Sequence, residues 1–309
     1  MNVLVTGAAG FVGARLISVL AGMPGMSVRP AVRHPVASPA VAIGEMSPTT
    51  DWTAALTGID VVVHLAARVH VMHDDAADPL QSFLRTNTES TLHLARQAAR
   101  AGVKRLVFLS SVKVNGEHTQ PGHPFRTIDA PAPQDAYAIS KHRAELGLHE
   151  ITGLEVVVIR PPLVYGPGVK ANFAALLNAV ARGVPLPLGL VDNRRSLVAL
   201  DNLVHLIVTC ITHPGAAGQT FLVSDGEDLS TAELARRLAT AMQRRAYLLP
   251  VPVWALKTAA ALLGKRPQVQ RLCDNLQVDI AATCQRLGWT PPLSVDEGLR
   301  RALGRGDTA

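Results

Sequence analysis

The chain has 309 residues, 48% of them apolar and 4% aromatic, with a formal net charge of +6 and 11 histidines. That length holds two average domains or one large α/β domain with an appendage, and core size is not limiting. No Lys/Arg block with interleaved aromatics occurs, so the cationic excess predicts attraction for anionic small molecules rather than nucleic acid.

The start, Met1-Asn2-Val3, enters a strand without a leader's basic segment or cleavage signature, so secretion is not expected. In chain order, apolar runs predict a strand at 3–5, a helix at 11–21, and strands at 27–32 and 60–65. A long helix over 79–101 and a strand at 106–109 follow, then a helix over 136–150 and a strand at 155–159. Continuous Val/Ile/Leu runs read as strands buried on both faces, and their alternation with helices predicts right-handed βαβ units in a doubly wound parallel sheet. Beyond Pro161-Pro162 and Gly166-Pro167-Gly168 the helices shorten. A dinucleotide-binding domain over 1–168 and a smaller, mostly helical substrate lobe over 169–309 are expected, partly interleaved, with a strand at 219–223 returning to the sheet. The polar loop 117–133 and the termini are the expected mobile parts.

No apolar run is long enough to span a bilayer. The nearest, 251–263, contains Lys257 and reads as a helix packed in the protein. Cys210, Cys273 and Cys284 are odd in number and widely spaced, which predicts a reduced, cytoplasmic protein.

Two motifs carry chemistry. The first is Thr6-Gly7-Ala8-Ala9-Gly10-Phe11-Val12-Gly13, between the first strand and helix. Gly7 makes a tight turn, Gly10 lets backbone approach a pyrophosphate, and Gly13 allows close helix–strand packing, with the helix N-terminus facing the phosphates. This is the signature of a Rossmann nicotinamide dinucleotide site. An NAD-selective second strand ends in Asp or Glu, whereas this one ends in Val32-Arg33-His34. Arg33 suits a 2′-phosphate and favours NADP over NAD; a solvated surface charge is the alternative. His64-Leu65-Ala66-Ala67 ends another strand, its small residues leaving room for the cofactor.

The second is Tyr137-Ala138-Ile139-Ser140-Lys141, with Ser110-Ser111 upstream at a strand's end. Tyr137 and Lys141, four apart, share a helix face. A lysine ammonium beside the phenol would favour phenolate, Ser111 could hydrogen-bond the substrate oxygen, and Tyr137 would trade the proton as hydride moves.

With these motifs the chain resembles the extended short-chain dehydrogenase/reductases of the NAD-dependent epimerase/dehydratase, nucleotide-sugar group. The resemblance extends through Asn87, the Ser110–Gly116 segment, Arg160-Pro161-Pro162-Leu163-Val164-Tyr165-Gly166-Pro167-Gly168, and Arg195-Ser196-Leu197-Val198 before Asp201. It implies catalysis by Ser111, Tyr137 and Lys141. It adds Asn87, Pro161 and Val164 to the cofactor site. Asn172, Phe173 and Arg195 would bind the nucleotide diphosphate of a UDP-sugar, with the segment 185–189, including Leu188, beside its base. It also implies a homodimer joined through the 79–101 and 136–150 helices as a four-helix bundle.

Val112-Lys113 follow Ser111 where the family's dehydratases carry Asp-Glu, so 4,6-dehydration is disfavoured. Asn115 and Leu163 replace the family's usual tyrosine and asparagine. The 109–117 phrase is most similar to polysaccharide-biosynthesis members that reduce a UDP-4-keto-6-deoxy-hexosamine at C4, or that act as UDP-glucose 4-epimerases. Reduction is the leading expectation. A dihydroflavonol-reductase-type ketone reductase and a non-catalytic dinucleotide sensor are the alternatives. His70, His73, His118, His123 and Asp74-Asp75 fit no metal motif and read as solvated loop residues.

Overall fold

The computed structural model describes residues 1–34, 39–69 and 78–304; His70, His73, Asp74 and Asp75 lie outside this set. The first strands are β1 (Asn2–Thr6), β2 (Ser27–Val32), β3 (Val41–Ala42) and β4 (Val61–His64). They are joined by β5 (Arg105–Leu109), β6 (Glu155–Arg160) and β9 (Thr220–Leu222) in a seven-stranded sheet of order β3-β2-β1-β4-β5-β6-β9. Every pairing in it is parallel. The chain winds outward from β1 to β3, then crosses back to β4. That reversal opens a crevice between the carboxyl ends of β1 and β4.

Side-chain alternation along the strands fills two cores. Val3, Val5, Val63, Val107 and Ile159 face helix α1 (Phe11–Ala21) and α7 (Leu200–Thr212). Leu4, Val62, Leu106, Phe108 and Val158 face α4 (Ser90–Arg100) and α5 (Ala136–His149) on the other side. The predicted 79–101 helix is compound: α3 (Pro79–Phe83), one π-helical stretch over Leu84–Glu89, then α4. Two short elements, β3 and α2 (Thr53–Leu56), lie in a stretch where the sequence carries no strong period.

A second layer system carries the lobe. β7 (Leu163–Tyr165) pairs parallel with β8 (Arg195–Ala199), and β10 (Asp228–Leu229) pairs antiparallel with β8. Around this three-stranded sheet, α6 (Ala171–Ala181), α8 (Thr231–Ala241) and α12 (Val295–Ala302) close a third core that includes Tyr165, Leu197, Leu238 and Leu299. The helices α9 (Val253–Leu262), α10 (Arg266–Cys273) and α11 (Ala281–Leu287) complete the chain. The expected strand at 219–223 is β9. Together with α7 it returns the second half of the chain to the first sheet.

One side chain clamps the halves. Buried Arg105 of β5 donates from Nη1 to the carbonyls of Cys210, Ile211 and His213 at the end of α7, at 2.9, 3.1 and 3.0 Å. Its Nη2 pairs with Glu155 at 2.6 Å. A guanidinium is well suited to the negative end of a helix and its unmet carbonyls.

Loop 117–133, expected among the mobile parts, is instead stitched down. Thr119 N donates to Asn275 O, Phe125 N to Gln277 O and Asp279 N to Phe125 O, at 2.9–3.0 Å. Thr119 Oγ1 adds a side-chain acceptor for Gln277 N at 3.1 Å. Residues 253–262 of the 251–263 stretch form the expected helix α9, but it packs along one face alone: Ala260 is buried, Val253, Ala255, Leu256 and Ala261 are half-buried, and the rest is exposed. The lone Lys257 did not reveal this, because its ammonium bonds Asp274 at 2.8 Å along the protein surface.

Candidate active site

The crevice at the β1/β4 switch is lined by the glycine motif. Gly7 has φ +66°, and a Cβ there would lie 2.7 Å from the Ala66 nitrogen. A Cβ on Gly13 would lie 2.2 Å from the Gly7 carbonyl oxygen. Glycine is therefore required for β1, α1 and the tail of β4 to meet. The first turn of α1 has Gly10 at its N-cap, no side-chain cap and no acidic residue. Its N–H groups and dipole face the crevice, with half-buried Phe11 and Val12 beginning the helix. This arrangement fits the pyrophosphate of a dinucleotide. Leu65, Ala66 and Ala67 form the opposite lip, half-buried. Replacing Gly13 by alanine is expected to displace α1, lowering the melting temperature and weakening dinucleotide affinity together; calorimetric titration with NAD and NADPH would read both.

Arg33 stands exposed just past β2, beyond the Gly7 turn. Asn87 sits in the π-helical stretch, where one widened turn lets its side chain leave the helix. Its Oδ1 accepts from the Arg68 backbone N–H at 2.8 Å, and its Nδ2 donates to the Arg68 carbonyl and to Ser140 Oγ, both at 3.0 Å. Asn87 thus holds the β4 tail against α5. Pro161 is buried, its carbonyl accepting from Val112 N at 3.0 Å, and Val164 is half-buried on β7.

His64 closes the floor, buried between Thr6 Oγ1 at 2.7 Å and Thr91 Oγ1 at 2.9 Å. Burial, with Lys141 nearby, pushes it down to about 3. The unfolded chain would take up this proton near 6.5 and the folded chain only near 3. Stability is therefore full above 6.5 and is lost as pH falls. From pH 7.5 to 5 the His64 contribution is about 2 kcal/mol. Chemical denaturation at the two pH values, flatter in His64→Gln, checks it.

Ser111 follows β5 and caps a short 3-10 turn, its Oγ accepting from Lys113 N at 3.3 Å. Asp135 caps α5, accepting from Ala138 N at 2.7 Å. Lys113 Nζ bridges Asp135 at 2.6 Å and Glu117 at 2.8 Å, tying the Ser111 loop to the start of α5. Tyr137 packs edge-on against Phe83 with ring centres 6.2 Å apart. Lys141 is buried, its Nζ donating to the Leu109 carbonyl at 2.8 Å and lying 4.4 Å from the centre of the Phe108 ring. The helix face predicted for Tyr137 and Lys141 therefore lies over the end of β5.

The electrostatic balance differs from the sequence expectation. Burial, then Asp135, pushes the Tyr137 phenol above its ordinary value. Burial pulls Lys141 down to about 7, with Glu145 opposing. Desolvation and the Asp135 carboxylate both favour the protonated phenol, so Tyr137 rests as an acid.

Sequence reasoning missed a buried network beneath this site. Glu145 of α5 pairs with Arg160 of β6 through Oε2–Nη2 at 2.5 Å and Oε1–Nε at 3.0 Å. Ser110 Oγ donates to Glu145 at 2.5 Å, and Arg160 Nη1 donates to Asn115 Oδ1 at 3.0 Å. Asn115 is thus an acceptor for a buried guanidinium. The ends of β5 and β6, the Ser111 loop and α5 are locked together one turn beyond Lys141.

The lobe contributes a cleft of about 490 Å³ lined by His118, Leu190, Asp192, Asn193, Val253, Cys273 and Asp274, among others. Arg195 borders it, Nη1 donating to the Asp274 carbonyl at 2.9 Å. Burial lowers the Arg195 pKa, countered by Asp274 and Glu117. Asn172 is exposed, after Ala171 with φ +58°, a strained conformation for alanine. Phe173 points away from the solvent side, buried and stacked on Tyr165 at 5.3 Å, so it serves the lobe core. Leu188 is likewise buried. His118 and His123 are exposed, the first at the cleft.

A family profile described as NAD dependent epimerase/dehydratase family matches residues 3–224. The chain belongs to that family. It is an NAD(P)-dependent enzyme of the extended short-chain dehydrogenase type. A Vibrio cholerae protein named UDP-glucose 4-epimerase is 49% identical over 307 residues, covering 97% of this chain and 94% of that protein. UDP-glucuronic acid 4-epimerase from Bacillus cereus in complex with NAD superposes with a TM-score of 0.78 at 21% identity, covering 99% and 98% of the two chains. RMD from Pseudomonas aeruginosa complexed with NADPH gives 0.76 at 23%, covering 99% of each. The two structures share the fold described above.

Proposed function

We propose that the chain epimerises a UDP-hexose at C4, with Tyr137 exchanging the proton and the β1/β4 crevice holding the dinucleotide. The observation that carries this reading is a half-buried phenol and a buried ammonium one turn apart on α5, the ammonium bonded to the Leu109 carbonyl at the end of the strand that leads into Ser111. The Vibrio cholerae relative, named UDP-glucose 4-epimerase and similar over nearly the whole chain, supports the substrate class. Gly7, Gly10, Gly13, Leu65, Ala66 and Ala67 would hold the dinucleotide. When bound, it supplies the hydride acceptor and donor. Tyr137 takes the C4 hydroxyl proton as that carbon is oxidised and returns it once the other face of the sugar is presented. Ser111 Oγ holds the C4 oxygen, and Lys141 steadies the phenolate while the proton is away. Arg195 and Asn172 bind the diphosphate, with the cleft beside Leu190 and Asp274 taking the nucleoside. Val112-Lys113 directly follow Ser111 in place of an Asp-Glu pair, which disfavours elimination of water across C5 and C6.

A second reading is single-pass reduction of a UDP-4-keto-6-deoxy-hexosamine, favoured by Arg33 where an NAD-selective strand carries an acid. Either product would feed polysaccharide assembly. The purified enzyme should interconvert UDP-glucose and UDP-galactose without added reductant while retaining NAD. NADPH consumption by a 4-keto-6-deoxy sugar, without interconversion, would establish the second reading instead. Neither activity, with no stabilisation by UDP, would discard both.

We also propose a homodimer through α4 and α5. Leu146 on α5 is 56% exposed, and Gly147 lets the Leu92 side chain of α4 lie close against α5. Leu146→Arg should yield monomers in sedimentation velocity. Three unbridged cysteines are in keeping with a reducing cytoplasm. No helix among the described residues is long and apolar enough to cross a membrane.

A further inference from the structure

We propose that the outward face of α9, with the turn into α10, docks onto an anionic lipid bilayer. The helix reads Val253-Trp254-Ala255-Leu256-Lys257-Thr258-Ala259-Ala260-Ala261-Leu262, apolar nearly all round. Such helices are ordinarily enclosed. This one is laid open: Trp254 is 73% exposed, Leu262 84% and Leu263 70%. At 3.6 residues per turn, Trp254, Thr258 and Leu262 fall on the side away from Ala260, the helix's buried residue. The outward face therefore carries an indole, a leucine and no charge.

The charge beside it is positive. Lys265 and Arg266 follow directly, both exposed, and neither forms an ion pair among the described residues. Asp274, the carboxylate at this hairpin, is engaged by Lys257 at 2.8 Å. An apolar, tryptophan-bearing helix face bordered by unbalanced cations is the composition that sinks into the headgroup layer of an anionic membrane. A second copy of the chain is a poorer occupant. A two-fold contact through α9 would bring the unpaired cations of both copies into one interface whose apolar face carries no carboxylate. Val253 and Cys273, from α9 and α10, also line the 490 Å³ cleft, so docking would hold that cleft at the bilayer surface. The proposal does not depend on which sugar the enzyme uses.

Co-sedimentation with vesicles tests it. The full chain should bind phosphatidylglycerol–phosphatidylethanolamine vesicles at low salt and bind phosphatidylcholine vesicles about tenfold or more weakly. Its tryptophan emission should shift to the blue through Trp254, because Trp52 and Trp289 are already buried. The paired change Leu262→Glu with Leu263→Glu should reduce binding at least about tenfold with the melting temperature unchanged. Lys265→Glu with Arg266→Glu should reduce binding to the anionic vesicles alone. Absence of anionic-vesicle binding by the wild type overturns the proposal. So does a dimer, dissolved by the leucine changes, in a protein that ignores vesicles.

Discussion

Tyr137→Phe is expected to lower turnover by about 10²–10⁴-fold while leaving dinucleotide affinity and thermal stability close to those of the parent. The substitution removes one oxygen from a ring whose packing against Phe83 is retained. Lost turnover with an intact fold would therefore report on the proton and nothing else. The pH dependence carries a sign. Burial and the Asp135 carboxylate raise the phenol, so oxidation of a C4 hydroxyl, which needs phenolate, should quicken as pH rises. Asp135→Asn keeps an N-cap of equal quality for α5 but removes the negative charge. Its oxidative profile should move to lower pH. A profile unmoved by Asp135→Asn, or a Tyr137→Phe enzyme with ordinary turnover, would show that another group carries the proton.

The second large effect lies below the site. Glu145→Gln leaves the Arg160 guanidinium buried without its counter-charge and should destabilise the fold by about 3–5 kcal/mol. Arg160→Met should do comparable damage by stranding the carboxylate. The double variant should lose clearly less than the sum of the singles, because each single change leaves a buried charge unpaired. Denaturant titrations of the four proteins give the coupling directly. Strict additivity would mean that Ser110 and Asn115, rather than the ion pair, hold α5 in place.

The parallel sheet was readable because β1, β4, β5 and β6 are runs of valine, isoleucine and leucine, buried on both faces. The glycine spacing was readable for the same kind of reason, since only a residue without a Cβ fits against the Gly7 carbonyl and the Ala66 amide. The π-helical stretch was not. Its six residues keep the helical apolar pattern on both sides, and the wider turn shows only in where Asn87 points. The Glu145–Arg160 pair was also hidden, because charges on a helix and at a strand end ordinarily read as solvent-facing. Their partnership is set by how α5 crosses β6. Asp135 could have been found, as an N-cap residue immediately before a periodic segment. The direction of the Tyr137 shift could not, since it depends on how deeply the phenol is buried.

Arg105 has a consequence for how the molecule comes apart. A strand of the first sheet grips the end of a helix from the second half, and β9 is added to that sheet's edge from beyond residue 200. Neither half can open without taking from the carbonyls at the end of α7 the cation that satisfies them. A single calorimetric transition should follow. A cut near Gly168 should yield fragments that melt or aggregate rather than an autonomous nucleotide-binding module.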